Sequence, residues 1–175
     1  MSNMIDILQK RRSIRLFSDK PVDAKQLEKL QQALLRAPTS RGKNPWQFIR
    51  VDDRNLLEKI SMAKAHGSAF LAGAAVAYII CGDETISDVW IEDCSIAAIT
   101  LQYAAHDLGL GSCWAQIRLR EHNDNQSAEE YLRTLLTIPE QMRIMSIIRI
   151  VHPAEEKPGH LAEQLPKDRI HINSY

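Results

Sequence analysis

The sequence predicts an α+β domain, a small sheet wrapped by helices with one long helix at its centre. Three observations lead there. Runs with helical period outnumber runs rich in β-branched residues. The segments carrying glycine, proline and clustered polar groups fall between those runs. The stretch Cys94-Ser95-Ile96-Ala97-Ala98-Ile99-Thr100-Leu101-Gln102-Tyr103-Ala104-Ala105 has no charge on any face. A helix made of it must be covered all round, within the fold or by another subunit.

In chain order, residues 3–10 read as a short helix entering the basic stretch Lys10-Arg11-Arg12. A second helix starts at Asp23, where Asp23 and Gln26 form a capping-box pair and Val22 with Leu27 a hydrophobic staple. Leu27, Leu30 and Leu34 mark its buried face, and Ala37-Pro38 ends it. Trp46 to Val51 reads as a strand, Leu56 to Ala65 as a helix, and Val76 to Cys81 as a buried strand of β-branched and aromatic residues. The long helix spans about Asp88 to Leu108 and stops at Gly109 and Gly111. Ser112 to Ile117 and Met145 to Val151 are the remaining strands, with an amphipathic segment from Gln126 to Leu136 between them. A polar tail runs from His152 to Tyr175.

The chain has 175 residues, which suits one core of ordinary size. Neither repeat, low-complexity tract nor Gly/Ser linker marks a second domain, so 1–175 is read as one unit. Lys plus Arg number 22 and Asp plus Glu number 22, which removes bulk attraction to nucleic acid or anionic membrane. Any anion must be held by a local cluster. The segment Met1-Ser2-Asn3-Met4-Ile5-Asp6 lacks the layout of a signal peptide. The uncharged run Gly67 to Gly82 is shorter than a membrane span of ~20 residues. Three widely spaced cysteines, Cys81, Cys94 and Cys113, argue against a disulfide framework or a zinc site and for a reducing, cytoplasmic setting.

Candidate chemistry lies in four segments. Arg11-Arg12-Ser13-Ile14-Arg15-Leu16-Phe17 sets guanidinium forks and a hydroxyl side by side, matched to phosphate oxygens. The alternative is a solvated helix end, where the dipole favours cations. Ala37 to Phe48 is a rigid loop in which Thr39, Ser40 and Asn44 offer short polar groups; it is either a reader of a heterocycle's edge or an ordinary connection. In Leu108 to Gln116 the glycines permit close backbone approach to a flat ligand, and Cys113 reads as a packing residue. Leu165 to His171 holds a second basic pair, which also fits a solvated tail.

Together and in this order, the four segments resemble the nitroreductase family of flavoproteins, over nearly the whole chain. The resemblance implies a small, mostly antiparallel sheet, a long buried central helix and an obligate homodimer whose subunits share their sites. It implies bound FMN, the phosphate held by Arg11, Arg12, Ser13 and Arg15 and by Lys167 and Arg169 of the tail 152–175. The family loop Pro-Ser-Ser-x-Asn-x-Gln-Pro-Trp, which reaches the flavin from the opposite subunit, reads Pro38-Thr39-Ser40-Arg41-Gly42-Lys43-Asn44-Pro45-Trp46 here. Pro38, Thr39, Ser40, Gly42 and Asn44 are assigned to it, with main-chain contacts alone at Gly42. Cys113, Trp114, Ala115 and Gln116 match the segment along the ring's N5 edge, a backbone N–H near Gln116 serving N5. Toward the pyrimidine end, where larger relatives carry an Asn and a Lys, the counterparts are His66 and Ala69; His66 or Ser68 stands in, and the lysine is missing.

The activity so implied takes hydride from NADH or NADPH and passes two electrons to a nitroaromatic, quinone or similar small-molecule acceptor. Donor and acceptor use one space in turn, and neither a catalytic side chain nor a metal is assigned. The chain lacks the long helical insertion of larger members, which implies either an open, undiscriminating site or a specialised partner. The alternatives are same-fold chemistry of the dehalogenase or flavin-destroying kind, and a non-catalytic flavin-binding redox sensor.

Overall fold

The computed structural model describes residues 3–175. Met1 and Ser2, part of the N-terminal segment assessed above for a leader, lie outside the described residues. Helix α1 (Met4–Lys10) is capped by the Asn3 side chain, which accepts from the Ile5 N–H. Helix α2 (Ala24–Leu35) opens on the expected capping box: Asp23 accepts from the Gln26 N–H at 2.8 Å, and the Gln26 side chain accepts from the Asp23 N–H at 3.3 Å. Leu30 and Leu34 are buried and Leu27 packs at the edge of the same face.

Helix α3 differs from expectation, running Arg54–Ser61 rather than 56–65. Asp53 takes the N-cap, accepting from the Leu56 N–H at 2.7 Å. At the other end the buried Ser68 hydroxyl donates to the Ser61 carbonyl at 2.7 Å, closing the helix early.

The sheet is antiparallel throughout. Strand β7 (Met142–Pro153) is its axis, with β3 (Val76–Asp83) along one side and β2 (Trp46–Val51) beyond β3. Two strands share the other side of β7: β4 (Gly111–Gln116) pairs with 146–151, and β1 (Phe17–Ser18) with 152–153. Strand β1 and the hairpin β5 (Glu121–Asn123) and β6 (Gln126–Ser127) were not legible beforehand, being too short to show a period. Alternation along the strands sends Tyr78, Ile80, Ile148 and Ile150 toward α2 and α4. Ala77, Ile79 and Ile147 face α3 and α5 (Ala128–Leu136) on the opposite side.

Strand β7 is also longer than the predicted 145–151, because a carboxylate secures its start. Buried Glu129 of α5 takes the Arg143 guanidinium at 2.8 and 3.0 Å and the Ile144 N–H at 2.9 Å. Helix α4 (Trp90–Asp107) lies on the sheet through Cys94, Ala97, Ala98, Leu101 and Ala105, all fully buried. Its opposite face is not covered: Ile96 is 39% exposed, and Ile99 and Tyr103 are half-buried. The expected all-round burial is therefore not met within one chain. The helix closes with the Gly109 N–H on the His106 carbonyl and the Leu110 N–H on that of Ala105, a Schellman ending. Among the described residues, no helix is long and apolar enough to cross a membrane.

Removing the Glu129 carboxylate leaves the Ile144 N–H unpartnered and Arg143 with Glu84 as its remaining acid. Glu129→Ala is expected to lower unfolding stability by about 1.5–3 kcal/mol, read from urea titrations.

Candidate functional site

The first motif leaves α1 at Arg11 and lies down on β4. Ser13 and Ser112 form a parallel bridge, and the Ile14 N–H donates to the Ser112 carbonyl at 3.0 Å. Ile14 presses on Gly111, where an added Cβ would fall 2.9 Å from the Ile14 Cβ. Gly111 therefore makes room for the first motif and not, as expected, for a flat ligand. Arg12 donates to the Pro158 carbonyl, which turns it toward the tail. Neither the Arg11 nor the Arg15 guanidinium has an ion-pair partner among the described residues. The Arg15 and Leu16 N–H groups both donate to Glu155, at 2.6 and 3.1 Å. Those two bonds, with Lys157 beside them, hold the Glu155 carboxyl down to about 2.

Strand β4 carries the second component. The Ile117 N–H bonds to the Met145 carbonyl on β7, whereas the Ser112 carbonyl accepts from Ile14 on the other side. Alternation then turns the main-chain groups of Trp114 and Gln116 to the open edge of the strand. From Ser112 to Gln116 that edge runs ~13 Å. The side chains of Trp114 and Gln116 bond to each other, Nε1 to Oε1 at 3.0 Å, leaving the edge to main-chain donors. Cys113 points into the core; burial pushes its thiol up, outweighing the pull of Arg15, Arg149 and Lys157. It is a packing cysteine, as expected.

The loop from Pro38 to Asn44 is braced internally. The Thr39 hydroxyl donates to Asn44 Oδ1 at 2.9 Å and accepts from the Asn44 N–H at 3.1 Å. The Asn44 side chain is thus engaged within the loop. Gly42 has φ +62°, a left-handed conformation that glycine and asparagine tolerate best, which explains how one replaces the other there. Buried Asp93 on the first turn of α4 anchors the loop, accepting from the Ser40 N–H at 2.8 Å and the Ser87 hydroxyl at 3.1 Å. The first motif sits at the other end of α4, where Arg11 and His106 line one cleft. From Asp93 to His106 the helix spans ~20 Å. Within one chain the loop and the first motif do not meet.

His66 is exposed, in the turn before Ala69–Leu71. Ser68, its proposed substitute, has its hydroxyl committed to Ser61. The predicted basic pair of the tail stays apart from the first motif. Arg169 is turned to solvent with Asp168 3.9 Å away, and Lys167 is exposed. Sequence reasoning missed Lys157, whose Nζ donates to the Ser13 carbonyl at 2.9 Å and pairs with Glu155 at 3.1 Å. It also missed Arg149, buried beneath the first motif. A lysine in a polar tail and an arginine in a strand carry no local signature.

The Glu155 clamp gives a pH signature. A carboxyl whose folded value is depressed adds stability above its unfolded value, and that stability is lost as pH falls through the folded value. The window runs from about 4.5 down to about 2. Acid titrations of wild type and Glu155→Gln should differ most above this window and converge at its lower end.

Comparison with known proteins bears on the family and the fold. The model of the nitroreductase family matches residues 8–69 and 61–150. A protein of Archaeoglobus fulgidus, provisionally named NADH dehydrogenase/NAD(P)H nitroreductase, is 35% identical over 176 residues, covering 98% of each chain. The FMN reductase [NAD(P)H] of Bacillus subtilis is 29% identical over 208 residues, covering all of this chain and 80% of its own. The solved structure of an FMN-dependent nitroreductase from Clostridium difficile R20291 superposes with a TM-score of 0.96. It is 42% identical and is matched over 98% of this chain and 99% of that one. The chain belongs to the nitroreductase family.

Proposed function

We propose that this chain is an FMN-dependent NAD(P)H oxidoreductase that reduces nitroaromatic, quinone or similar small acceptors, working as a homodimer. One observation carries the proposal. Two guanidinium groups without acidic partners, Arg11 and Arg15, are joined through the Ser13–Ser112 bridge to a strand whose open edge ends at Gln116. The cations suit a phosphate monoester, and an edge of main-chain donors suits the rim of a heterocycle. The residues present therefore fit FMN, with Arg11, Ser13 and Arg15 at the phosphate and the Gln116 N–H at the ring. Bound FMN supplies the hydride chemistry, so the chain's own groups bind, orient and exclude water.

The homodimer follows from what α4 leaves uncovered. Ile96, Ile99 and Tyr103 form an apolar face along it. Packing two such faces antiparallel about a two-fold axis sets the 38–44 loop of one protomer beside the first motif of its partner. This places Pro38, Thr39, Ser40, Gly42 and Asn44 at the flavin of the other chain. The tail supports the same assembly, since Leu165, Ile170, Ile172 and Tyr175 are exposed in the single chain and are suited to cover a partner. Lys167 and Arg169 travel with that tail, so their place at a phosphate is in the partner's site.

The purified protein is expected to be yellow, to release FMN on heating, and to oxidise NADH or NADPH with menadione or dinitrotoluene while its FMN stays intact. A colourless protein, or one whose flavin is consumed, overturns the proposal. Arg15→Ala should weaken FMN binding by ~2–5 kcal/mol in a titration of the apoprotein.

A mixing experiment tests site sharing. Arg15→Ala and Ser40→Pro are each expected to be defective as homodimers. A heterodimer of the two has one site built from an intact motif and an intact loop. Unfolding and refolding the mixture should restore roughly a quarter of the wild-type sites. No recovery, with heterodimers verified by mass spectrometry, means that each site belongs to a single chain.

A further inference from the structure

Arg149 is the largest side chain that the fold buries completely. It stands on β7 opposite Cys113 of β4. Its guanidinium lies 4.0 Å over the Phe17 ring and 5.5 Å from that of Phe70. One terminal nitrogen donates to the Phe70 carbonyl, and the other to the Arg15 carbonyl at 3.0 Å. Nε has no hydrogen-bond partner, and no carboxylate forms an ion pair with Arg149 among the described residues. Burial lowers its value to about 10, opposed by nearby Cys113 and Glu155 and reinforced by Arg15.

Stability does not account for this side chain. A buried ion without a counter-ion is costly, and well-packed apolar residues often replace buried charges without loss. Two aromatic faces and two carbonyls compensate only in part. The groups it touches are informative. Arg15 belongs to the first motif, Phe70 to the turn after His66 and Ser68, and Cys113 to the strand with the open edge. Two of the four candidate segments, and the turn assigned to the pyrimidine end, therefore converge on one guanidinium.

The local charge points the same way. Arg15, Arg149 and Lys157 all act on Cys113. The acid among them is Glu155, which already accepts from Lys157 and from two N–H groups. Three cations against one carboxylate leave an excess of two positive charges, in a chain of zero net charge. A phosphate monoester near neutral pH carries ≈ −1.5 to −2.

We propose that Arg149 is a positioning residue for the cofactor, its buried charge drawing the FMN phosphate to the first motif without touching it. This rests on the flavin assignment above. The charge acts from beneath, through a region of low dielectric where water screens little. The guanidinium fork meanwhile ties the phosphate-side segment at Arg15 to the segment at Phe70.

The test uses the full-length apoprotein and two ligands that differ only by the phosphate, FMN and riboflavin. Arg149→Lys keeps the charge and loses the fork, whereas Arg149→Gln keeps amide donors and loses the charge. Arg149→Gln should weaken FMN about tenfold, ~1.4 kcal/mol, while riboflavin changes little. Arg149→Lys should retain the wild-type preference for FMN over riboflavin. Equal losses for both flavins in both variants would assign Arg149 a purely structural clamp and overturn the proposal. So would an unchanged preference in Arg149→Gln. Should neither variant fold, the charge serves the fold itself and the proposal again falls. Failure of the wild type to bind FMN at all overturns the flavin assignment first, so the two failures are distinguishable.

Discussion

Ile14 lies against Gly111 with no room for a methyl group between them, and the Ser13–Ser112 bridge continues that contact. This seating of an irregular basic segment on the edge of β4 is the constraint on which the candidate site depends. It turns a flexible run of arginines into a cradle of fixed geometry. It also aligns that cradle with the strand whose outward N–H groups end at Gln116. Glu155 reinforces the seat by accepting from the main chain of Arg15 and Leu16. It does so without pairing to the Arg15 guanidinium, which stays available.

The electrostatics follow from that geometry. A protein with no net charge exerts little long-range pull, so affinity for an anion must come from local density and from low dielectric. Both are present here. Arg11 and Arg15 carry exposed or half-exposed heads, Lys157 is partly covered, and Arg149 is wholly buried. The cations thus form a gradient from solvent to core, and the most buried one is the least screened.

Helix α4 links this chemistry to assembly. Its small residues Ala97, Ala98 and Ala105 let it lie close on the sheet. Its two ends hold different components: Asp93 fixes the 38–44 loop, and the His106 end adjoins the first motif. A helix ~20 Å long between them keeps the two apart in one chain. The uncovered apolar face along the same helix offers a surface through which a second chain can bring them together. One element thereby separates the parts of the site and provides the means of joining them.

How much of this was legible beforehand depended on whether a signal was local. The capping box at Asp23, the β2 strand at Trp46–Val51 and the uncharged centre of α4 are properties of short windows, and each reads directly from residue order. The order of the four segments sufficed to indicate the family. The early end of α3 was not legible, because it is set by Ser68 reaching back to Ser61. Nor were the roles of Lys157 and Arg149, which arise from contacts with residues more than a hundred positions away. By itself, then, the sequence determined the longer elements, the family and the cations of the first motif, through periodicity and side-chain chemistry. Only the tertiary structure decided which cations face which segments and which face of α4 stays bare, because pairing across β7 brings together residues that no window along the chain contains.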